Sequence, residues 1–267
     1  MREENVMKQD AAYELPIDLL PSLVGYGLTR TLQDVRFRVL TTDQAVRLLD
    51  MHVQVHSPLK IAIANAHTLN IARANAQYRH VLSGFTVLND GIGIDLASRM
   101  RYGQSFPDNL NGTDFVPAYF SRSALKLRVF MLGARPHVVK RAFDEARRLY
   151  PAHEWLGFGD GFFSPDDEVA LCERIRAVRP DVLLVAMGNP LQEFWIERCA
   201  ASTDATLCVG VGALFDFLSG DANRAPLWVR RAKLEWIYRL LQEPGRMWRR
   251  YLVGNLTFLW HAWQERR

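Results

Sequence analysis

The chain has 267 residues, of which 49% are hydrophobic and 23% are charged, which is enough to bury a core and excludes an intrinsically disordered protein. The net charge is only +4, but the segment from Arg224 to Arg267 holds ten lysines and arginines against three acids, together with five of the seven tryptophans. A basic and aromatic segment of this kind suits an anionic surface such as lipid headgroups, a diphosphate or nucleic acid.

The predicted elements begin after a leader. Residues 1–33 carry Pro16, Pro21 and scattered charge, and we expect them to be loosely ordered. From residue 34 to 223, short β-like runs alternate with helical stretches, which predicts βαβ units around a mostly parallel sheet flanked by helices. The predicted strands are Ile61–Asn65, Gly84–Leu88, Leu127–Leu132, Val182–Ala186 and Leu207–Val211. The predicted helices are Thr68–Gln77, Gly93–Tyr102, Thr113–Leu125, Pro136–Leu149, Asp166–Val178 and Pro190–Ala200.

The last segment, residues 224–267, is predicted to be a basic, Trp-rich helical appendage with a break at Pro244. An apolar stripe in its final helix is formed by residues at three- and four-residue steps: Trp248, Leu252, Leu256, Leu259 and Trp263. The charge of the segment and this stripe together predict contact with a membrane surface.

The expected location is the cytoplasm. Cys172, Cys199 and Cys208 form no CxxC pair, and we expect them to be buried, reduced thiols. The opening residues contain no apolar stretch that would predict a secretory signal. No apolar run approaches the roughly 20 residues that a membrane-spanning helix needs, so any membrane contact is expected to be peripheral.

Glycines or small polar residues stand at several strand-to-helix junctions, including Gly133, Gly188 and Gly210. Ligands of open α/β sheets bind beyond the carboxyl ends of the strands, where glycine lets phosphate approach the backbone and helix N-termini supply N–H donors. This pattern favours a nucleotide ligand, although the glycines could equally serve only to close tight turns. No GxGxxG follows a strand, which weighs against a dinucleotide-dependent oxidoreductase.

Asp90 follows the apolar strand FTVL and precedes Gly91, so its carboxylate is placed either to act as a general base or to cap the next helix. The chain contains no Asp-x-Asp pair of the kind that holds Mg²⁺ or Mn²⁺ on a diphosphate. We therefore expect no metal and no other cofactor. Arg239, Arg246 and Arg249 are the candidate cations for a leaving diphosphate, unless they form only a solvated helix face.

Eight sequence blocks together resemble the WecG/TagA/CpsF family of bacterial glycosyltransferases over about residues 35–255. The blocks are ANAHTLN (64–70), LNDGIGIDLASR (88–99), NGTDF (111–115), MLGARP (131–136), GDGFF (159–163), PDVLLVAMGNPLQEFWI (180–196), GVGALFDFLSG (210–220) and RAPLWVRRAKLEWIYRLLQEPGRMWRRY (224–251).

The resemblance implies a Rossmann-like domain with a C-terminal helical appendage that docks on the membrane. It also implies inverting, metal-independent transfer from a UDP-sugar to a polyprenyl-diphosphate-linked sugar. Carried over by position, Asp90 is the catalytic base, with Asn65 and Gln192 as further catalytic residues. The implied substrate-binding residues are Gly133, Gly161, Gly188, Gly210, Asp216, Arg239, Arg246 and Arg249.

Two positions depart from the family pattern. Many members have threonine or serine where this chain has Ile63, and many have arginine where it has Asn109. Both positions lie near the presumed sugar and acceptor region, and they favour a plain hexose such as glucose, transferred in β linkage during exopolysaccharide or cell-surface glycan synthesis. Transfer of N-acetylmannosamine or N-acetylmannosaminuronic acid is the alternative.

Two functions of other classes stay open at this stage: a nucleotide-dependent oxidoreductase and a non-catalytic membrane-binding protein. Nucleic acid is not an expected partner, because the basic charge lies in a Trp-rich amphipathic tail while the remainder of the chain is slightly acidic. The oligomeric state is left open, and a homo-oligomer is compatible with the sequence.

Overall fold

The computed structural model describes residues 27–226, 229, 235–242, 245, 248 and 252–265. Its sheet has eight strands in the order β1-β2-β4-β3-β8-β7-β5-β6. The strands are β1 (Thr29–Leu32), β2 (Val35–Arg38), β3 (Leu59–Ala64), β4 (Thr86–Asn89), β5 (Arg128–Gly133), β6 (Glu154–Gly159), β7 (Val182–Ala186) and β8 (Leu207–Gly210). Only the β1–β2 pair in this sheet is antiparallel, so the predicted mostly parallel sheet is confirmed.

Helices cover both faces of the sheet, as predicted. In chain order the described helices are α1 (Thr42–Gln54), α2 (Ala66–Ala74), α3 (Ala76–Ser83), α4 (Gly91–Tyr102), α5 (Gly112–Arg122), α6 (Pro136–Leu149), α7 (Glu168–Ala177), α8 (Leu191–Thr203), α9 (Leu214–Leu218), α10 (Glu235–Gln242) and α11 (Gly254–Gln264). A short 3₁₀ turn, Pro165–Asp167, precedes α7.

The direction of the crossover accounts for the face that most core helices cover, with α4, which packs in the layer of α2 and α3, as the exception. The chain runs toward the β6 edge of the sheet through α1, α5 and α6, and these helices pack in one apolar layer with α9. It runs back toward the β1 edge through α2, α3, α7 and α8, and these helices pack in the opposite layer. Right-handed crossovers require this division, because reversing the direction along the sheet reverses the face. Neighbouring strands β3 and β8 therefore send their following helices to opposite faces, which opens a crevice between their carboxyl ends.

Five elements were not predicted: the strands β1, β2 and β6 and the helices α1 and α9. Strands β1 and β2 have four residues each and alternate buried and more exposed positions, and β6 contains two glycines, so none shows a strong apolar run. The β1–β2 hairpin starts at Thr29, so the predicted leader boundary at residue 33 falls inside it. The leader residues 1–26 lie outside the described residues.

The predicted helix Thr68–Gln77 is two helices. Asn75 ends α2 with an extended backbone, and its side-chain oxygen accepts the Tyr78 N–H at 3.0 Å to cap α3. An asparagine cap inside an otherwise helical pattern is sufficient to restart the helix at a new angle.

The C-terminal helix α11 packs against the α/β core. Phe258 is fully buried and Ala262 nearly so, in the layer that also contains α2 and α4. Asn70 on α2 donates to the carbonyl oxygen of Gly254 at 2.8 Å, and Gln33 donates to that of Phe258 at 3.1 Å. One face of this helix thus completes the core.

The opposite face of α11 is exposed and apolar. Leu256 and Trp260 expose 70% and 57% of their surface, and the ring centroids of Trp260 and Trp263 lie 5.7 Å apart. Of the predicted stripe, Trp248, Leu252, Leu256 and Trp263 are exposed, whereas Leu259 packs partly against the core. Within the described ranges, no helix is long and apolar enough to cross a membrane. The division at residue 224 into a core and an appendage stays a prediction.

We expect Phe258→Ala to destabilise the protein by about 3–5 kcal/mol, because it leaves a cavity between α11 and the core. The matched control is Trp260→Ala on the same helix, which removes an exposed ring and should change the free energy of unfolding by less than about 1 kcal/mol. Urea denaturation followed by circular dichroism measures both. Equal, small effects would show that α11 does not stabilise the core.

Candidate active site

Two predicted catalytic residues meet at the carboxyl edge of the sheet. Asn65 follows β3 and Asp90 follows β4, and these strands are parallel neighbours with Ala64 opposite Asn89. Asn65 Nδ2 donates to Asp90 Oδ2 at 3.0 Å, and the Asp90 N–H donates to the Ala64 carbonyl oxygen at 2.9 Å. The structure therefore brings the predicted base and the predicted asparagine into direct contact.

The orientation of the Asn65 amide follows from its place at the start of α2. Its Oδ1 accepts the N–H groups of His67 and Thr68 at 3.1 and 3.3 Å, which caps the helix. Since Oδ1 faces the helix, Nδ2 must point away from it, toward Asp90. The helix cap thereby turns a hydrogen-bond donor toward the carboxylate and limits its rotation.

Asp90 stands at the N-cap position of α4, but its side chain does not cap that helix. The first helical N–H, of Gly91, donates instead to Asn109 Oδ1 at 2.8 Å. The capping role considered from sequence is therefore taken by Asn109, and the Asp90 carboxylate is directed to Asn65. This arrangement favours the general-base interpretation of Asp90.

The loop that carries Asn109 is tied to the end of β4. Asn89 Nδ2 donates to the Asp108 carbonyl oxygen at 2.8 Å, and the Asp108 carboxylate accepts the Thr42 N–H at 2.7 Å. Arg30 is buried and donates to the carbonyl oxygens of Gln104 and Ser105. These contacts hold the segment 104–109 beside the candidate base.

Ile63, the first departure from the family pattern, is a core residue. It is 8% exposed and lies in the same apolar layer as α5. A Cβ added to Gly112 would lie 3.4 Å from Ile63 Cδ1 and 3.3 Å from the Val211 carbonyl oxygen. The start of the NGTDF block therefore rests directly on the ends of β3 and β8 and covers the Ile63 side chain.

Gln192 lies in a buried polar network at the start of α8. It is 1% exposed, its Nε2 donates to Glu193 Oε1 at 2.7 Å, and its Oε1 accepts the Gly212 N–H at 3.1 Å. Glu193 is completely buried, and it also accepts from Asn189 Nδ2 at 2.7 Å and from the Tyr78 hydroxyl at 3.0 Å. With both ends of its amide engaged inside the protein, Gln192 has the geometry of a positioning residue.

Three of the four predicted binding glycines are closely packed against neighbouring atoms, and the fourth faces open space. A Cβ on Gly133 would overlap the backbone of Ala186, one on Gly210 would come within 2.7 Å of Gln192 Nε2, and one on Gly161 would lie 3.2 Å from Gly133 Cα. Close packing accounts for these three. Gly188 has a φ of 76°, with no neighbour within 4 Å of the added Cβ, so its backbone faces open space. Ligand binding by all four stays a prediction.

Some of the residues predicted to bind the nucleotide and its diphosphate lie outside the described residues. Asp216 is half-buried in α9. Arg239 belongs to α10, although its side chain is outside the described atoms, and Arg246 and Arg249 lie outside the described residues. Two further arginines stand at the carboxyl edge: Arg135 is exposed at the start of α6, whereas Arg224 donates to Thr113 Oγ1 at 3.1 Å and forms an ion pair with Asp114. Over the described ranges, no three His, Cys, Asp or Glu side chains are grouped so that they could hold a metal ion.

A groove of about 980 Å³ lies at the opposite, amino-terminal edge of the sheet. Leu59, Thr86, Arg128 and Thr206, at the starts of their strands or just before them, are among its lining residues, as is Gly27. None of the predicted site residues lines it. We place the active site at the carboxyl edge, because ligands of open α/β sheets bind there and because Asn65 and Asp90 meet there.

Sequence reasoning assigned no role to Glu193, Tyr78 or Asn189, and it noted Asn109 only as a departure from the family pattern. Glu193 had a local signal: it lies three residues before Ile196, on the side of α8 that faces the core, where a carboxylate predicts a buried polar contact. No local signal predicted the hydrogen bonds of Tyr78, Asn189 and Asn109, since their partners are distant in sequence or depend on the course of a loop.

Burial raises the pKa of Glu193, although the donors Gln192, Tyr78 and Asn189 oppose that shift. A carboxyl group whose pKa is raised by folding favours the folded state at low pH, where the group is protonated. This contribution to the free energy of unfolding is complete below the ordinary glutamate pKa of about 4.3, and it is lost as the pH rises through the pKa of the folded protein. The glutamine side chain of the Glu193→Gln variant does not titrate, so the stability of this variant lacks that pH dependence. We therefore expect the stability of this variant relative to the wild type to increase from pH 4.5 to pH 8, measured by urea denaturation. A relative gain by the wild type on raising the pH would contradict the direction of the shift.

Comparison with known proteins identifies the family of this chain. The sequence profile described as "Glycosyl transferase WecG/TagA/CpsF family" matches residues 30–267. The chain is also 37% identical, over 194 residues, to an N-acetylglucosaminyldiphosphoundecaprenol N-acetyl-beta-D-mannosaminyltransferase of Bacillus spizizenii; the match covers 72% of this chain and 74% of that protein. The contact between Asp90 and Asn65 joins two of the blocks on which the resemblance rested. The chain belongs to the WecG/TagA/CpsF family of glycosyltransferases.

Proposed function

We propose that this glycosyltransferase moves an N-acetylmannosamine-type sugar from a UDP-sugar onto a sugar carried by a polyprenyl diphosphate. The Asp90 carboxylate, held by Asn65 at the carboxyl edge of a mostly parallel sheet, is the observation that carries the proposal. The Bacillus relative supports the acceptor class and the transferred sugar, since its name specifies a diphosphoundecaprenol acceptor and an N-acetylmannosaminyl group.

The relative favours this alternative over the glucose transfer preferred from sequence. One reason for preferring glucose was the loss of a hydroxyl at Ile63, but this side chain is covered by the start of α5. The other reason was Asn109, whose oxygen is occupied by the Gly91 N–H. Neither contact distinguishes a plain hexose from an N-acetylated one, and the name of the relative supports the N-acetylated sugar.

The proposed reaction is a single displacement with inversion. The acceptor hydroxyl attacks the anomeric carbon of the donor, its proton passes to Asp90, and the bond from the anomeric carbon to the UDP oxygen breaks. A positioned base is worth typically about 10²–10⁴ in rate. The negative charge of UDP would be met by helix N-termini at the carboxyl edge and by arginines, without a metal ion.

The exposed face of α11 supports a peripheral membrane contact at the cytoplasmic surface. Leu256, Trp260 and Trp263 lie on this face, and in sequence they belong to the most basic segment of the chain. Tryptophan and leucine partition into the interfacial region of a bilayer, and basic residues are attracted to anionic headgroups. A protein that acts on a polyprenyl-linked acceptor needs such a surface, because its substrate lies in the membrane.

A panel of donors tests the function. The purified protein is incubated, in EDTA, with polyprenyl-diphosphate N-acetylglucosamine and one UDP-sugar at a time: N-acetylmannosamine, N-acetylmannosaminuronic acid, N-acetylglucosamine or glucose. We expect a product mass that corresponds to one added N-acetylmannosamine. A product with UDP-glucose alone would restore the glucose assignment, and no product with any donor would contradict the proposal.

The catalytic role of Asp90 has its own test. We expect Asp90→Asn to lower kcat by at least about 100-fold while UDP binding and the melting temperature change little, because the amide keeps the shape but cannot accept the proton. Asp43→Asn is the control, since Asp43 is an exposed carboxylate that pairs with Arg122. Near-wild-type turnover of the Asp90 variant would leave Asp90 a structural role only.

A further inference from the structure

The buried carboxyl group of Glu193 determines which way two neighbouring amides face. Its Oε1 accepts from Asn189 Nδ2 and from Gln192 Nε2, both at 2.7 Å. Because a single oxygen takes an N–H from each amide, the amide nitrogens of Asn189 and Gln192 both point inward, and their oxygens must point away from Glu193. Gln192 Oε1 is accordingly found on the Gly212 N–H.

This orientation does not depend on the protonation of Glu193. As a carboxylate, Glu193 accepts from both amides and from the Tyr78 hydroxyl. As a neutral acid, it keeps Oε1 as an acceptor for the amides, while Oε2 donates to the Tyr78 oxygen. In both protonation states the amide nitrogens of Asn189 and Gln192 donate to Glu193 Oε1, so the amide oxygens of both residues point away from Glu193.

Asn189 stands at the carboxyl edge of the sheet, just after β7, where the sequence predicts a nucleotide. Asn189 is half-buried in the loop after β7, next to Gly188, whose backbone faces open space. No described residue donates a hydrogen bond to Asn189 Oδ1, and the atom is not sealed in the interior. Strands β4 and β7 are three positions apart in the sheet, or about 14 Å, which is comparable to the length of a nucleotide-sugar whose reacting carbon is at Asp90.

We propose that Asn189 is a substrate-binding residue whose amide oxygen accepts a hydrogen bond from a hydroxyl or N–H group of the nucleotide-sugar, and that Glu193 is the positioning residue that turns this oxygen toward the ligand. The inference rests on the proposed function, since it takes a UDP-sugar as the ligand. Tyr78 and Gln192 complete the network and keep Glu193 in place.

The test compares four variants by calorimetric binding of UDP and UDP-N-acetylmannosamine, by donor KM and kcat, and by thermal melting. Asn189→Ala removes the acceptor. Glu193→Leu removes the positioning group, whereas Glu193→Gln keeps an oxygen that can accept from both amides. Asn70→Ala is the matched control, because Asn70 is also a half-buried asparagine whose Nδ2 donates within the protein, to Gly254.

We expect Asn189→Ala and Glu193→Leu to raise the donor KM by about fivefold to tenfold, the value of one hydrogen bond, with kcat nearly unchanged. Glu193→Gln should bind donor like the wild type, and Asn70→Ala should lower stability without changing the donor KM. If Asn189→Ala already weakens the binding of UDP, the group that donates to Asn189 belongs to the nucleoside. If the variant weakens only the binding of the UDP-sugar, the donor belongs to the transferred sugar. Both outcomes support the proposal.

Two results would overturn it. Wild-type affinity in Asn189→Ala would show that the amide oxygen does not contact the ligand, even if Glu193→Leu binds poorly through loss of structure. A weakened Glu193→Gln equal to Glu193→Leu would show that the charge of Glu193 matters and not the orientation it imposes. Failure of the wild-type protein to bind any UDP-sugar would contradict the proposed function itself, and this inference with it.

Discussion

The parallel direction of strands β2 to β8 is the constraint on which the candidate site depends. In a parallel sheet every strand ends at the same edge, and the helix that follows it begins there. Asn65, Asp90 and Asn189 are far apart in the chain, yet each stands just after a strand and therefore at this edge. The same geometry directs the N-termini of α2, α4 and α8 toward the ligand, which favours an anionic substrate.

Burying a carboxyl group beside the site has a cost, and the surrounding residues reduce it. Glu193 is completely buried, and three donors from α3, α8 and the loop before α8 supply the hydrogen bonds that water would otherwise make. The missing side chain of Gly210 leaves room for this group, since a Cβ there would come within 3.3 Å of Glu193 Oε1. Hydrogen bonds from three donors to one buried carboxyl group resist rotation of the amides that make them, which suits groups that must meet a ligand in one orientation.

The C-terminal helix connects the candidate catalytic residues to the exposed apolar face. Phe258 of α11 packs beside Gly93 of α4, and Gly93 in turn faces Ala66 of α2. Asn65 and Asp90 stand at the first turns of these two helices. A surface bound through Trp260 and Trp263 would therefore be one helix away from the candidate base. This proximity is consistent with a soluble nucleotide-sugar meeting an acceptor that stays in the membrane.

The sequence by itself determined the α/β class, most strands of the parallel core and the pairing of Asp90 with a strand end, because these depend on apolar periodicity and local junctions. It also determined the family, through blocks such as GNPLQE. Only the tertiary structure decided that Asn109 rather than Asp90 caps α4, that Ile63 is covered, and that Gln192 is held by Glu193. The Asn109 cap of α4 and the Tyr78 hydrogen bond that completes the Glu193 network join residues 18 and 115 positions apart, and no local pattern encodes such contacts.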